Sequence, residues 1–238
     1  MQFDREISLA IEPEPGCTFE RVDDWIDFFE NTMLRGHWPE LDALKPGRRD
    51  LQEEILRRHL TVCFDACHAS VVFDDAPAAI ERLFSHGIEI SKFQVSNAVM
   101  IPAGDVAALH ALREWNEPIY LHQVSARSTQ GKSYFFEDLP AFLQEVPNLP
   151  PVSARVHFHV PVFQASIGGL ETTQRELKAA VQAARQGATD LFEIETYSWA
   201  RVPRAGSSET TRTLIDDIAE EYRWTAAQLR SPVGFNHA

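Results

Sequence analysis

The sequence predicts an α/β fold, on two observations. Short β-type runs alternate with segments of helical periodicity, the signature of parallel strand–helix–strand units. Each run also carries its ionisable residues on one side only, which favours a barrel-type sheet over a doubly wound one. A doubly wound sheet is covered by helices on both faces, so its strands read as nearly continuous apolar runs. In a (β/α) barrel the helices lie outside and chemistry gathers at the C-terminal ends of the strands.

In chain order, ISLAIEP (residues 7–13) is the first strand. A helical segment follows, read with Thr18 as N-cap, Arg21 and Val22 next, and continuing through WIDFFENTML. RRDLQEEILRRHL has helical spacing and leads into the second strand, LTVCFD (60–65). DAPAAIERLFSHG then predicts a helix before the third strand, IEISKFQV (88–95), and DVAALHALREW another after it. Residues 116–153 hold IYLHQVSAR, STQGK and SYFFEDL, which read as a small hairpin inserted between two repeats. The fourth strand is ARVHFHVPVF (154–163), followed by the helical TTQRELKAAVQAARQG. TDLFEIETYSW (189–199) is the fifth strand and ETTRTLIDDIAEEYRW the last helical segment.

Side chains alternate along a strand, so residues two apart share a face. By that rule Glu12 and Glu14, Cys63 and Asp65, Lys92 and Gln94, His157 and His159, and Glu193 and Glu195 all oppose apolar neighbours. Most sit late in their strands, where a barrel keeps its active site. His68 follows Asp65 by three residues in FDACH, which joins it to the set. Carboxylates mixed with imidazoles suit Mn²⁺, Mg²⁺, Zn²⁺ or Co²⁺, several strands each giving a ligand. Each residue has a plainer reading beside this one: Asp65 as a helix N-cap, Glu193 and Glu195 as charges on a wet edge, Lys92 as a paired cation.

The bulk properties narrow the function. The 238 residues are enough for one sizeable core, with 44% hydrophobic and 24% charged residues. A formal net charge of -13 opposes phosphate backbones, so nucleic acid is not an expected partner. No run reaches the roughly 18 apolar residues of a membrane span, and MQFDREISLA lacks the features of a signal peptide. Three cysteines, Cys17, Cys63 and Cys67, fit a reducing compartment. The expected location is the cytoplasm.

The ordered series Glu, Asp-x-x-His, His-x-His and Glu resembles the xylose-isomerase-like TIM barrels, which include sugar isomerases, ketose epimerases and endonuclease IV. The phrases IEPEPGC, VCFDACH, KFQVSNAV, YLHQVSAR, VHFHVPVF with ETTQ after it, and EIETYSW are similar to the EboE-type metabolite traffic proteins. The likeness spans residues 7 to about 225. It implies a single barrel domain over residues 1–238, with metal ligands at Glu12, Asp65, His68, one of His157 or His159, and Glu195. Lys92 and Gln94 stand where metal-binding relatives often place a His. A barrel needs eight strands and five are offered, so the resemblance makes these strands four to eight and implies three further units upstream or a homo-oligomer.

The expected function is handling of a small polar metabolite at the barrel mouth by divalent-metal-dependent isomerase or epimerase chemistry. Glu12, Lys92 and Glu195 are the candidate catalytic groups, and Glu14, Gln94, His159 and Glu193 the candidate ligand-binding groups. A non-enzymatic binding or delivery protein would use the same residues. A third reading makes Lys92 a Schiff-base lysine, as in barrel aldolases.

Overall fold

The computed structural model describes residues 7–200 and 213–230. It is mixed α/β with a parallel sheet and packed helices, as the alternation predicts. In chain order come β1 (Leu9–Ile11), α1 (Val22–Phe28), continued by a π-helical turn over Phe29–Met33, α2 (Pro39–Leu44) and α3 (Arg49–His59). Then follow β2 (Leu60–Asp65), α4 (Ala66–Val71), α5 (Ala76–Ser85), β3 (Ile90–Val95), β4 (Val99–Ile101) and α6 (Val106–Arg113). The middle holds β5 (Val124–Ser128), β6 (Ser133–Phe136), α7 (Leu139–Glu145), β7 (Val152–Val156), β8 (Ser166–Ile167) and β9 (Leu170–Thr172). The chain continues with α8 (Gln174–Ala184), β10 (Phe192–Ile194) and α9 (Leu214–Arg230).

Two sheets divide these strands. β1, β2, β3 and β10 lie side by side in that order, all parallel. The other six run antiparallel in the order β6-β5-β7-β4-β9-β8. Among the described residues the parallel sheet is an open arc.

The first face rule holds in the parallel sheet. Phe64, Phe93 and Phe192 occupy one rung, with ring centroids 5.5 Å apart at each step. That side is sealed by α1, α5 and α8, through Trp25, Ile80, Leu83, Leu177 and Val181. Each fully buried Phe contributes about 1.5–3 kcal/mol. The next rung, Asp65, Gln94 and Glu193, faces the other way.

Three expectations are corrected. The fourth expected strand does not join the parallel sheet: β7 pairs with β4 and β5, and His157 and His159 follow it in extended chain outside any strand. The inserted hairpin exists as β5 and β6, but it is one edge of a six-stranded sheet with its own core around Trp115, Phe142 and Phe158. The first helix starts at Val22 with Arg21 as N-cap, because the Asp24 carboxylate accepts the backbone N–H groups of Glu20 and Arg21 at 3.0 and 2.9 Å and so closes the turn there. The last helical segment begins at residue 209, and residues 209–212 lie outside those described.

The loop after β1 and the last helix each pack closely against the rest of the fold. Gly16, at φ 79°, turns the loop after β1 under the hairpin, where a Cβ would meet Phe135 at 3.0 Å. Glu221 of α9 accepts the Val162 N–H at 3.2 Å and the Thr196 hydroxyl at 2.5 Å.

Burial raises the Glu221 carboxyl above its ordinary value of 4.5. A raised acid favours the folded state at low pH and loses that contribution as pH rises through the folded value. Glu221→Gln keeps the acceptor oxygen and removes the charge, so its melting temperature is expected to exceed the parent's at pH 8 and to match it near pH 4.

The outer edge of β1 has no strand partner among the described residues, and Ile7 and Leu9 are 78% and 60% exposed. An apolar open edge invites pairing with another chain. Light scattering is expected to show mass rising with concentration, and Leu9→Lys to suppress the rise; a constant monomer mass would overturn this.

Candidate metal centre

The centre is assembled where β2 ends. Asp65 closes the strand and caps α4, its Oδ1 accepting the His68 N–H at 2.7 Å. Its Oδ2 accepts the Ser96 hydroxyl at 2.8 Å, and Ser96 Oγ accepts the Cys67 N–H at 2.8 Å. The small residues Ala66 and Cys67 let the chain pass from strand to helix with no loop between. His68 is thus placed one turn inside the helix, at the spacing that an N-cap carboxylate imposes. The N-cap reading of Asp65 is the one these bonds show, and the same bonds set His68 beside it.

His157 and His159 arrive from the opposite side. The His157 N–H donates to the Gln123 carbonyl at 2.9 Å and the Val160 N–H to the Asn97 carbonyl at 2.9 Å, which keeps the segment extended. Phe158 turns away and stacks on His122, with centroids 3.6 Å apart. Alternation therefore puts both histidines on one side even without strand pairing.

The hydrogen bonds assign two tautomers. His68 Nδ1 lies 3.1 Å from the Pro13 carbonyl, which can only accept, so this nitrogen carries the proton. His157 Nδ1 lies 2.8 Å from Gln123 Oε1 and donates there. Each neutral ring then presents a bare lone pair at Nε2, and those two atoms are 3.1 Å apart. His157 Nε2 is also 3.1 Å from His159 Nε2. One lone pair can accept from His159, but the other contact sets lone pair against lone pair.

Either a proton or a cation must resolve that contact. Burial and the neighbouring imidazoles push His157 well below the usual range, and burial above all takes His159 down to about 4. Protonation of His157 and His159 is thereby opposed, and a divalent cation fits the cluster. The outer nitrogens of His68 and His157 already have the carbonyl partners that metal-bound imidazoles use to fix their orientation. His159 Nδ1 is buried without a hydrogen-bond partner.

Four overlapping triads bring ligand atoms within 4.8 Å of one another: Cys67, His157 and His159; Glu14, His68 and His157; Asp65, His68 and His159; and Glu12, Asp65 and Glu195. All five expected metal residues, Glu12, Asp65, His68, His157 and Glu195, fall in this set, and His159 stands as near as His157 does. Glu12 Oε1 is 3.5 Å from His68 Nδ1, and Glu195 Oε1 is 3.9 Å from His159 Nδ1. Burial, with Asp65 and Glu12 nearby, raises Glu195 to about 7. Burial likewise raises Glu12, against the pull of His68.

Gln94 and Lys92 divide the remaining work. The Gln94 amide donates to Glu195 Oε2 and its oxygen accepts the Cys63 thiol at 2.8 Å. Lys92 Nζ sits 2.9 Å from Glu193 Oε1, a contact that raises the amine above its ordinary value. A Schiff-base lysine requires the reverse shift. Glu14 accepts the Cys17 thiol at 3.6 Å.

Several participants carry no strong sequence signal. Gln123 and His122 lie in the insertion, and Ser96 and Tyr197 follow their strands as ordinary polar residues. Tyr197 stacks on His159 at 4.9 Å and donates its hydroxyl to the His157 carbonyl at 3.3 Å. His122 donates Nδ1–H to that same carbonyl at 3.0 Å. A separate cavity of about 480 Å³ lies among Gly87–Ser91 and Gly187–Leu191, and it shares none of the cluster's donor residues.

No family model, curated protein or solved structure matches the chain.

Because Asp65 is also a cap, its loss costs stability. Asp65→Ala is expected to lower unfolding free energy by about 1–2 kcal/mol in urea titration. His68→Ala leaves the capped N–H in place and should cost less; equal losses would contradict the assignment of the cap.

Proposed function

We propose that the chain is a metal-dependent protein of xylose-isomerase-like barrel type, related to the EboE-type metabolite traffic proteins and acting on a small polar metabolite. The observation that carries the reading is the 3.1 Å contact between the lone-pair nitrogens of His68 and His157, where burial and the neighbouring imidazoles oppose protonation of His157.

His68, His157, His159 and Asp65 would hold the ion, with Glu14 and Cys67 within reach. A divalent cation bound there polarises a hydroxyl or carbonyl oxygen of the ligand. Glu195 is the group to move a proton at the adjacent carbon, since the Gln94 amide fixes its position and it stands beside the imidazoles. Glu12 reaches the same space from β1. Lys92, kept charged by Glu193, offers a cation to an oxygen of the ligand without acting as a nucleophile. Proton transfer beside a polarised carbonyl is isomerase or epimerase chemistry.

Protein purified without chelator is expected to carry about one divalent ion per chain by plasma mass spectrometry. His157→Ala should remove it, and Gln123→Ala should weaken it about 10- to 100-fold, since Gln123 orients the His157 ring. Absence of uptake from micromolar Zn²⁺, Co²⁺ or Mn²⁺ would overturn the metal reading and leave a metal-free binding or delivery protein.

A further inference from the structure

The segment between α6 and β5 has two contrasting sides. From beneath it is fastened by buried polar groups: the Glu117 carboxylate accepts the N–H groups of Ile119 and Tyr120 at 3.1 and 2.9 Å and lies 2.9 Å from His122 Nε2. The His122 N–H donates to Asp138 at 2.9 Å, and the next residue, Gln123, binds the His157 ring. Toward solvent it presents three consecutive large apolar side chains, Ile119, Tyr120 and Leu121, which are 74%, 54% and 66% exposed.

A connector with no task would carry Gly, Asn, Asp or Ser at such a tip. Apolar groups held out on a pinned backbone mark a contact surface. The rings tell where that contact leads. Tyr120 lies 5.3 Å from Tyr197, and Tyr197 stacks on His159 at 4.9 Å with 29° between the planes. An unbroken series of ring contacts thus runs from the surface to the imidazole cluster.

We propose that Tyr120, backed by Tyr197, is a specificity-determining residue that receives the apolar or ring-bearing part of a ligand whose oxygen-rich end reaches the metal centre. The inference deepens the metal reading and rests on it. It names the ligand class as amphipathic: a chelating head joined to a flat or apolar body. A bare small sugar fills the head position and leaves these rings uncovered. An apolar body laid along Tyr120 leaves water and gains ring contact, and these together favour it by about tenfold.

Two probes separate head from body. Acetohydroxamate and benzohydroxamate share the chelating head and differ in a methyl or a phenyl substituent. Calorimetric titration of the cobalt-loaded protein is expected to show benzohydroxamate binding about tenfold tighter. Tyr120→Ala should bring the two affinities together, and Tyr120→Phe should preserve their ratio. An unchanged ratio in Tyr120→Ala, or no preference in the parent, overturns the proposal while leaving the metal reading intact. Failure of the protein to take up cobalt overturns the metal reading, and this inference with it; failure of both hydroxamates to bind the cobalt-loaded protein overturns this inference alone. A loss of self-association in Tyr120→Ala by light scattering, with the ratio kept, assigns the three side chains to a contact between copies and also overturns the proposal.

Discussion

The structure turns on how Asp65 uses its two oxygens. One caps α4 and the other takes the Ser96 hydroxyl, which in turn holds the Cys67 N–H. These bonds fix the junction of β2 with α4 and the end of β3 against it. His68 has little freedom left once that junction is set, and its ring is aimed by the Pro13 carbonyl from the loop after β1. A buried carboxylate needs hydrogen-bond donors of this kind, since an unpartnered one would be costly.

The second determinant is the antiparallel sheet. It delivers His157 to the centre and also supplies Gln123 and His122, which hold that residue by ring, amide and carbonyl. Its core, around Trp115, Phe142 and Phe158, is separate from the aromatic rung of the parallel sheet. The two sheets therefore meet at the histidines, where a ligand would hold them together. An ion that bound only the folded cluster would stabilise the fold.

Charge explains why the carboxylates behave differently. Glu12 and Glu195 share space with Asp65, and partial burial raises both. Glu193 faces more solvent and pairs with Lys92, so it acts as a local counter-charge. A bound cation would reverse the local logic and hold the nearer carboxyls ionised. Under the proposed function these four carboxylates divide into ligand, base and counter-charge by distance from the imidazoles.

The sequence by itself determined the α/β class, the positions of β2, β3, α3, α5 and α8, and the polar side of the parallel strands. Those features rest on local periodicity, and periodicity is written in consecutive residues. It also singled out Asp65, His68, His157, His159 and Glu195 as one set. Only the tertiary structure decided that the chain through His157 leaves the parallel sheet and that the expected hairpin belongs to a six-stranded one. Strand partners are chosen by contacts between distant segments, such as Val99 with Val156 and Thr172, and no local pattern encodes them. The tautomers of His68 and His157 were likewise beyond sequence, since each is set by one carbonyl oxygen contributed from elsewhere in the chain.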